Sequence, residues 1–188
     1  MTKTMLKLMQ KKDSIIPKDI QLEFKSISDK YAAMDAAPYG ECDDEFMKAM
    51  EKRLTKEQRF WLYEQNGACK GAANDKERIA YANKNTDMTI AEKIELLSED
   101  KKMQVVLNND NTITMTFKCS HGYYKRAKEE KNFSPPVFIE SYFERCAGGR
   151  LYELEKLLGI KLKIKSVDIS SLNENIQNPV VFTFGIVG

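Results

Sequence analysis

The sequence predicts an α+β protein in which an antiparallel sheet of about four strands is covered by helices and the N-terminal half is helical. Apolar residues recur at three- and four-residue steps through the first half of the chain, which is the spacing of helices with one buried side. Two pairs of segments rich in β-branched and aromatic residues follow, and a polar loop separates the members of each pair. The order helices, hairpin, helix, hairpin favours an antiparallel sheet over a doubly wound parallel one.

The chain of 188 residues is predicted to form a single domain with a true core. Apolar residues make up 42% of it and charged residues 31%, a balance that excludes the disordered and membrane classes. Residues 1–17 are predicted to be a flexible lead-in, 18–98 to be mostly helical and 99–188 to contain the sheet.

The first helix is predicted to begin at Lys18, because Pro17 suits the position where a helix starts. Its apolar side chains recur three and four residues apart, at Ile20, Phe24, Ile27 and Tyr31. Two shorter helices are predicted further along the chain, near 75–83 and 89–97.

The segment between these helices leaves two interpretations open. Asp43 or Asp44 can cap a helix whose apolar residues continue as far as Tyr63. Thr55, with Gln58 three residues later, can cap a second segment inside this stretch. One long helix and two consecutive helices both fit the pattern.

Two hairpins are predicted in the second half. The first is "MQVVLNNDNTITMTFKC", in which apolar residues alternate on either side of the turn-forming "NNDN". The second joins "IKLKIKSVDI" to "PVVFTFGIV" through a polar loop. Lys161, Lys163 and Lys165 alternate along its first strand, which predicts a solvated face, with a modest anion-binding surface as the alternative.

The segment between the hairpins is predicted to form two helices. "PPVFIESYFERC" has apolar residues at helical spacing, and Gly148 and Gly149 then interrupt the pattern. "RLYELEKLLG" predicts a further helix that Gly159 closes at its carboxyl end.

Charge and composition restrict the partners of the chain. The 30 basic and 28 acidic side chains nearly cancel, so no nucleic acid partner is expected. No window approaches the roughly 18 apolar residues of a membrane span, and the start of the chain lacks the apolar run of a secretory signal. The four cysteines have no framework spacing. We therefore expect a cytoplasmic protein with reduced thiols and no membrane partner.

The stretch "FKCSHGYYKR" concentrates reactive groups, because Cys119 lies two residues before His121, the only histidine. On a continuing strand the two side chains point to one face, roughly 6.5 to 7 Å apart, a separation that suits two ligands of one metal ion. Together with Cys69 and Cys146 they provide four candidate zinc ligands. The alternative is a set of buried, inert cysteines that behave as small hydrophobic residues.

Cys69 is also a candidate nucleophile. Small residues surround it in "GACKGA", and Lys70 follows directly. Exposure and a neighbouring positive charge lower the pKa of a thiol and favour the reactive thiolate. The alternative is a tight turn between two helices.

The residues after His121 are candidates for ligand binding. Tyr123, Tyr124, Lys125 and Arg126 combine flat aromatic surface with positive charge, which suits a small anionic molecule. The same residues could simply leave a strand and enter solvent. No phosphate loop, dinucleotide glycines, serine elbow or HExxH motif is present.

The last two thirds of the chain resembles a family of uncharacterised bacterial proteins. Four segments carry the resemblance in the order in which that family has them: "KCSHG", "FSPPVF", "RCAGGRLYELEKLLGIKLKIKSVDIS" and "VVFTFGI". The pattern is similar to that of amino-thiazoline carboxylate hydrolases and vinyl-reductase-like ligand-binding domains. The resemblance implies an α+β fold with an antiparallel sheet.

This chain departs from the family pattern at its cysteines. His121 stands where the family has the second cysteine of a pair, and Glu144 replaces a cysteine shortly before Cys146. The last strand has no cysteine. Of the cysteines in the family pattern, a comparison position by position leaves only Cys69, Cys119 and Cys146 in this chain.

Three functions are therefore predicted as alternatives. The first is a cytoplasmic module that binds a small, anionic molecule near Cys119, His121 and Tyr123. The second is a hydrolase of cyclic amidines or other C–N bonds, with Cys69 or Cys119 as nucleophile and His121 as general base. The third is a protein-interaction scaffold without catalysis.

Overall fold

The computed structural model describes residues 2–34, 41–67, 70–100, 103–118 and 122–187, without the side chains of residues 2 and 100. The helices of the described ranges are α1 (Thr2–Met9), α2 (Lys18–Ala32), α3 (Glu41–Arg53), α4 (Lys56–Glu64), α5 (Asp75–Lys84), α6 (Ile90–Asp100), α7 (Tyr123–Glu129) and α8 (Ile139–Leu158). The strands are β1 (Val105–Leu107), β2 (Thr112–Phe117), β3 (Lys161–Asp168) and β4 (Val180–Val187).

The four strands form one antiparallel sheet in the order β1-β2-β4-β3. The two hairpins are joined where β2 pairs with β4, in a register that runs from Thr112 opposite Gly185 to Phe117 opposite Val180. Helix α8 packs on β3 and α6 packs on β1. The predicted α+β class, the four-stranded antiparallel sheet and the helical N-terminal half are confirmed.

The strand β3 has one buried and one solvated face. Leu162 and Ile164 are buried, whereas Lys161, Lys163 and Lys165 are exposed. This alternation confirms the predicted solvated face, although the pairing with β4 shifts between Ile164 and Ser166.

Carboxylates from two helices occupy the outer edge of β3. The backbone N–H of Leu162 donates to Glu155 at 2.9 Å, and that of Ile164 donates to Glu64 at 2.7 Å. Burial raises the pKa of Glu64, although this hydrogen bond opposes the shift. These backbone N–H groups are then not available to pair with a further strand, so the two carboxylates protect the edge of the sheet.

Helices α3 and α4 are separate, and this resolves the alternative left open between one helix and two. Thr55 accepts a hydrogen bond from the backbone N–H of Gln58 at 3.2 Å. The side chain of Gln58 accepts one in return from the backbone N–H of Thr55 at 2.9 Å. This reciprocal capping box begins α4 as the sequence indicates.

Helix α8 is continuous, so the predicted interruption at Gly148 and Gly149 is wrong. A Cβ atom at Gly148 would lie 2.3 Å from the carbonyl oxygen of Tyr63. Because Gly148 has no side chain, the backbone of α4 at Tyr63 can lie close to α8. The role of this glycine is therefore close helix packing and not helix termination. Gly159, with φ of 69°, ends the helix as predicted.

The start of the chain differs from the predicted flexible lead-in. Residues Thr2–Met9 form α1, in which Met5 and Met9 are fully buried. Methionine at positions four apart supplies one apolar side of a helix, and α1 packs on α2, α3 and α4. Lys3 and Lys7 of the same short segment give it a polar appearance in the sequence.

None of the helices in the described ranges has the length and apolar character that crossing a bilayer requires.

Candidate functional site

A groove lies between α3, α7, the start of α8 and the irregular segment 133–138. It has a volume of ≈ 530 Å³. Its apolar lining comprises Met47, Tyr123, Phe133, Pro135, Pro136, Val137, Phe138 and Tyr142. Its charged lining comprises Asp43, Asp44, Lys48, Arg126 and Arg145. Aromatic surface with a few polar groups is typical of a ligand site of this size.

Tyr123 is at the centre of the aromatic wall. Its ring meets that of Phe133 edge to face at 5.2 Å between centroids and that of Tyr142 at 6.1 Å. Phe143 supports it from the core side at 5.2 Å. These separations fall in the favourable range for aromatic pairs, so the wall is held by ring contacts from three parts of the chain.

The turn before α7 depends on a glycine. Gly122 has a φ of 56°, a conformation that other residues adopt only under strain. A Cβ atom there would also lie 2.3 Å from the hydroxyl oxygen of Tyr142. That hydroxyl accepts a hydrogen bond from the backbone N–H of Tyr123 at 2.8 Å. The glycine thus brings α7 against α8 and positions two residues of the groove.

The hydroxyl of Tyr123 is a buried polar group without a hydrogen-bond partner among the described residues. The side chain is only 3% exposed although it lines the groove. Burial raises the pKa of Tyr123. Buried polar groups are nearly always hydrogen-bonded, so a partner for this hydroxyl is expected from outside these residues.

The cations of the groove have different surroundings. Arg126 donates to Glu130 at 2.8 and 3.2 Å and lies 5.4 Å from the ring centroid of Phe133. The hydrogen bond with Glu130 raises the pKa of Arg126. Arg145 is half-buried, and within the described part of the chain it has no ion-pair partner. Lys48, the third cation of the lining, is exposed, so Arg145 is the cation that is best placed to receive an anionic group.

The four residues predicted to bind a ligand are divided by helix α7. Tyr123 and Arg126 lie three residues apart on the side that lines the groove. Tyr124 points to the sheet, where its hydroxyl donates to the carbonyl of Asn178 at 2.8 Å. Lys125 is exposed, 3.9 Å from Glu129. The alternative in which all four enter solvent is wrong for the two tyrosines, because each is 3% exposed.

The predicted cysteine and metal chemistry falls largely outside the described residues. Cys69, Cys119 and His121 all lie there, so their roles as nucleophile, base or zinc ligands stay predictions. Cys146 is half-buried on α8. Among the residues that the structure describes, no group of three or more His, Cys, Asp or Glu side chains is placed to hold a metal ion.

A second, smaller cavity of ≈ 290 Å³ is lined by a basic cluster that consists of Lys70, Arg78 of α5 and Arg150 of α8. At its centre Glu153 contacts Lys70 at 3.1 Å, Arg78 at 3.9 Å and Arg150. Burial favours a higher pKa for Glu153, but Arg150 and Lys70 together lower it. Arg78 also donates to the carbonyl of Lys70 at 2.6 Å and to Asp75 at 3.1 Å. The contacts of Arg78 tie the start of α5 to α8, so we interpret this cluster as structural.

A buried acidic cluster lies further toward the start of α8. Arg59 donates to both carboxylate oxygens of Glu144, at 2.7 and 2.9 Å, and to Glu140 at 3.2 Å. Glu51 accepts a hydrogen bond from the backbone N–H of Ser141 at 2.7 Å. Burial raises the pKa of Glu51. The cluster joins α3, α4 and α8, and the bidentate guanidinium–carboxylate pair fixes their orientation.

Most of the groove lining beyond Tyr123 and Arg126 was not predicted as a site, including Phe133, Tyr142 and Arg145. A usable signal was the spacing of three between Tyr142 and Arg145, which predicts one helix face. That face was indistinguishable from a core stripe, because Tyr142 also has helical spacing with Phe138. Proximity to Tyr123 depends on the contact of α7 with α8.

Comparisons with protein-family models, with curated proteins and with solved structures found no match to this chain. The function is therefore inferred from the groove and its residues.

Proposed function

We propose that the protein is a small-molecule-binding domain whose ligand occupies the groove between α3, α7 and α8. The observation that carries the proposal is an aromatic groove of ≈ 530 Å³ that contains a half-buried guanidinium, Arg145, without a counter-ion in the described chain. The volume falls within the range of about 300–1,000 Å³ that is usual for ligand sites.

The ligand should carry an anionic group, as the sequence predicts. A guanidinium in partly buried surroundings attracts a carboxylate or sulfonate more strongly than one in water, because solvent screens the pair less. Its planar donors also bind two oxygens at once. The apolar part of the same ligand would pack on the aromatic lining, which includes Phe133 and Tyr142.

Fluorescence titration with 1-anilinonaphthalene-8-sulfonate tests this proposal, since the dye combines aromatic rings with one anionic group. We expect saturable binding to the folded protein and a loss of at least tenfold in affinity in Arg145→Gln. The matched control is Arg53→Gln, which removes an exposed arginine of α3 that pairs with Glu23 at 2.8 Å. Equal affinities for Arg145→Gln and the control would contradict the proposal, and thermal melting confirms that both variants are folded.

We further propose that the protein works in the cytoplasm, which the unpatterned cysteines support. Thiol alkylation at the moment of cell lysis, followed by mass spectrometry, should find all four cysteines labelled. Native disulfides would contradict a reducing compartment.

A further inference from the structure

Helix α5 is attached to the molecule in a different way from α4, although both helices pack on α8. Helix α4 buries apolar side chains, which include Phe60 and Leu62. In α5, of which every residue is described, Arg78 is the one buried residue. Ile79 is 44% exposed, and Tyr81 packs against the core but is only half-buried. Because burial of apolar area is the main force that holds helices together, α5 is held more weakly than α4.

Polar contacts join the segment 70–84, which contains α5, to α8. Lys70 lies 3.1 Å from Glu153, and Arg78 lies 3.9 Å from the same carboxylate. The hydroxyl of Tyr152 donates to Asp75 at 2.5 Å. Both of these ionic contacts therefore depend on one side chain of α8, the carboxylate of Glu153.

Separation of the segment from α8 would leave its charges with other partners. Arg78 contacts Asp75 at 3.1 Å and donates to the carbonyl of Lys70 at 2.6 Å, and both residues belong to the same segment. Glu153 also contacts Arg150, its neighbour on α8. An ion pair is costly to break when one charge is left buried and alone. Neither Arg78 nor Glu153 is left alone here, so the ionic cost of separation is small.

The space between α5 and α8 is incompletely filled. The cavity of ≈ 290 Å³ is lined by Asn74, Glu77 and Arg78 from the segment 70–84 and by Glu153 and Leu157 from α8. Protein interiors normally have few spaces larger than a water molecule, and the atoms around a gap lose dispersion contacts. The cavity therefore removes packing that would otherwise hold α5 in place.

We propose that the segment 70–84 is a strap that detaches from α8 as a unit while the other helices stay folded. Ionic strength controls the equilibrium, because salt weakens the contacts of Glu153 with Lys70 and Arg78 but not the apolar contacts of the other helices. In the detached state the cavity becomes open surface that carries Arg150 and Leu157. This conformational device is independent of the groove and of its ligand.

Hydrogen–deuterium exchange of the full chain, resolved by mass spectrometry of its peptides, measures this opening helix by helix. After correction for intrinsic rates, we expect the amides of α5 to exchange about tenfold faster than those of α4. Raising sodium chloride from about 0.05 M to about 0.5 M should increase exchange in α5 by about threefold and leave α4 unchanged. Equal exchange in the two helices, or exchange in α5 that does not respond to salt, would overturn the proposal.

Arg78→Met removes the ionic contact with Glu153 and keeps an unbranched side chain in the buried position. We expect exchange in α5 to rise by about tenfold, with no change in α4. The control Lys84→Met removes an exposed cation from the last turn of α5 and should change exchange there by less than about twofold. An equal increase in α4 and α5 would show that Arg78 supports the whole fold and would contradict a separate strap.

Tyr152→Phe tests the same opening in a strap of unchanged sequence. It removes the hydrogen bond to Asp75 from the side of α8 and should raise exchange in α5 by about threefold, again without an effect on α4. Because this substitution keeps the aromatic ring, the variant should fold even where Arg78→Met does not. Unchanged exchange in α5 would show that the contact with α8 does not hold the strap, and the proposal would be wrong.

Discussion

Two polar clusters on α8 have opposite charge compositions. Near the start of the helix one guanidinium, Arg59, contacts Glu144 and Glu140, with Glu51 close by. Nine residues beyond Glu144, Glu153 is surrounded by three cations. The first cluster has an excess of negative charge and the second an excess of positive charge. Both clusters connect α8 to an earlier helical region. An excess of negative charge and an excess of positive charge therefore serve the same purpose, which is to hold helices together.

The clusters differ in burial, and this difference determines how each should respond to solvent. The side chains of the pair Arg59 and Glu144 are 7% and 1% exposed, whereas those of Lys70 and Arg150 are 27% and 20% exposed. Glu140 is an exposed member of the first cluster and Arg78 a buried member of the second. Salt and water screen the second cluster more than the first. Unpaired charge is therefore costly in the acidic cluster and tolerable in the basic one.

The largest expected effect is the loss of Arg59. Arg59→Leu leaves Glu144 charged and buried, which should lower the free energy of unfolding by about 3–5 kcal/mol in urea titrations. The double variant Arg59→Leu with Glu144→Leu should recover a large part of that loss, because it removes the uncompensated charge as well. A single variant as stable as the double variant would contradict a buried, coupled pair.

Glu153→Gln should have a smaller effect. The substitution leaves Lys70, Arg78 and Arg150 without their shared counter-ion and should lower the free energy of unfolding by about 1–2 kcal/mol. Because the cations are partly solvated, about 0.5 M sodium chloride should reduce this loss, whereas the loss in Arg59→Leu should persist. Identical salt responses in the two variants would show that the difference in burial has no energetic consequence.

The response to pH should have opposite signs in the two clusters. The pKa of Glu51 is raised in the folded protein, so native Glu51 takes up its proton before the unfolded chain does, and stability relative to Glu51→Gln should rise as pH falls from neutral toward 4.5. The pKa of Glu153 is lowered, so its stabilisation is present above 4.5 and is lost as pH falls below that value. Urea titrations across this range, with each glutamine variant as reference, measure both slopes. Slopes of the same sign would contradict the assignment.

The smallest effect is expected from a surface pair that serves as a baseline. Lys25 and Asp29 are 2.5 Å apart on α2, with side chains 53% and 62% exposed. Lys25→Gln should change the free energy of unfolding by no more than about 0.5 kcal/mol. A change as large as that of Glu153→Gln would remove the distinction between solvated and partly buried pairs.

The helices and hairpins were predictable where local chemistry is decisive. The capping box of Thr55 and Gln58, the left-handed glycine at position 159 and the period of two in β3 are all properties of short segments, and each has its expected structure. The glycine pair of α8 was misread because Gly148 serves a contact with Tyr63, far away in the sequence. Helix α1 was missed because it is short and its lysines and threonines give the segment a polar appearance.

The candidate site was predictable only in part. Tyr123 and Arg126 were identified as a combination of ring and cation, and both line the groove. Tyr124 and Lys125 point away from the groove because residues 123–129 form a helix. The strand pattern before them gave no sign of this helix. Arg145 and Phe133 enter the site from segments that have no local sign of ligand binding.

The sequence by itself determined the α+β class, the two hairpins and the aromatic and basic residues of α7, because period, capping and composition act over a few residues. Only the tertiary structure decided that α3, α7 and α8 enclose a groove with charges of both signs. The same is true of the two clusters of opposite charge on α8. Such sites depend on contacts between residues distant in the sequence, and packing of helices against one another is what brings those side chains together.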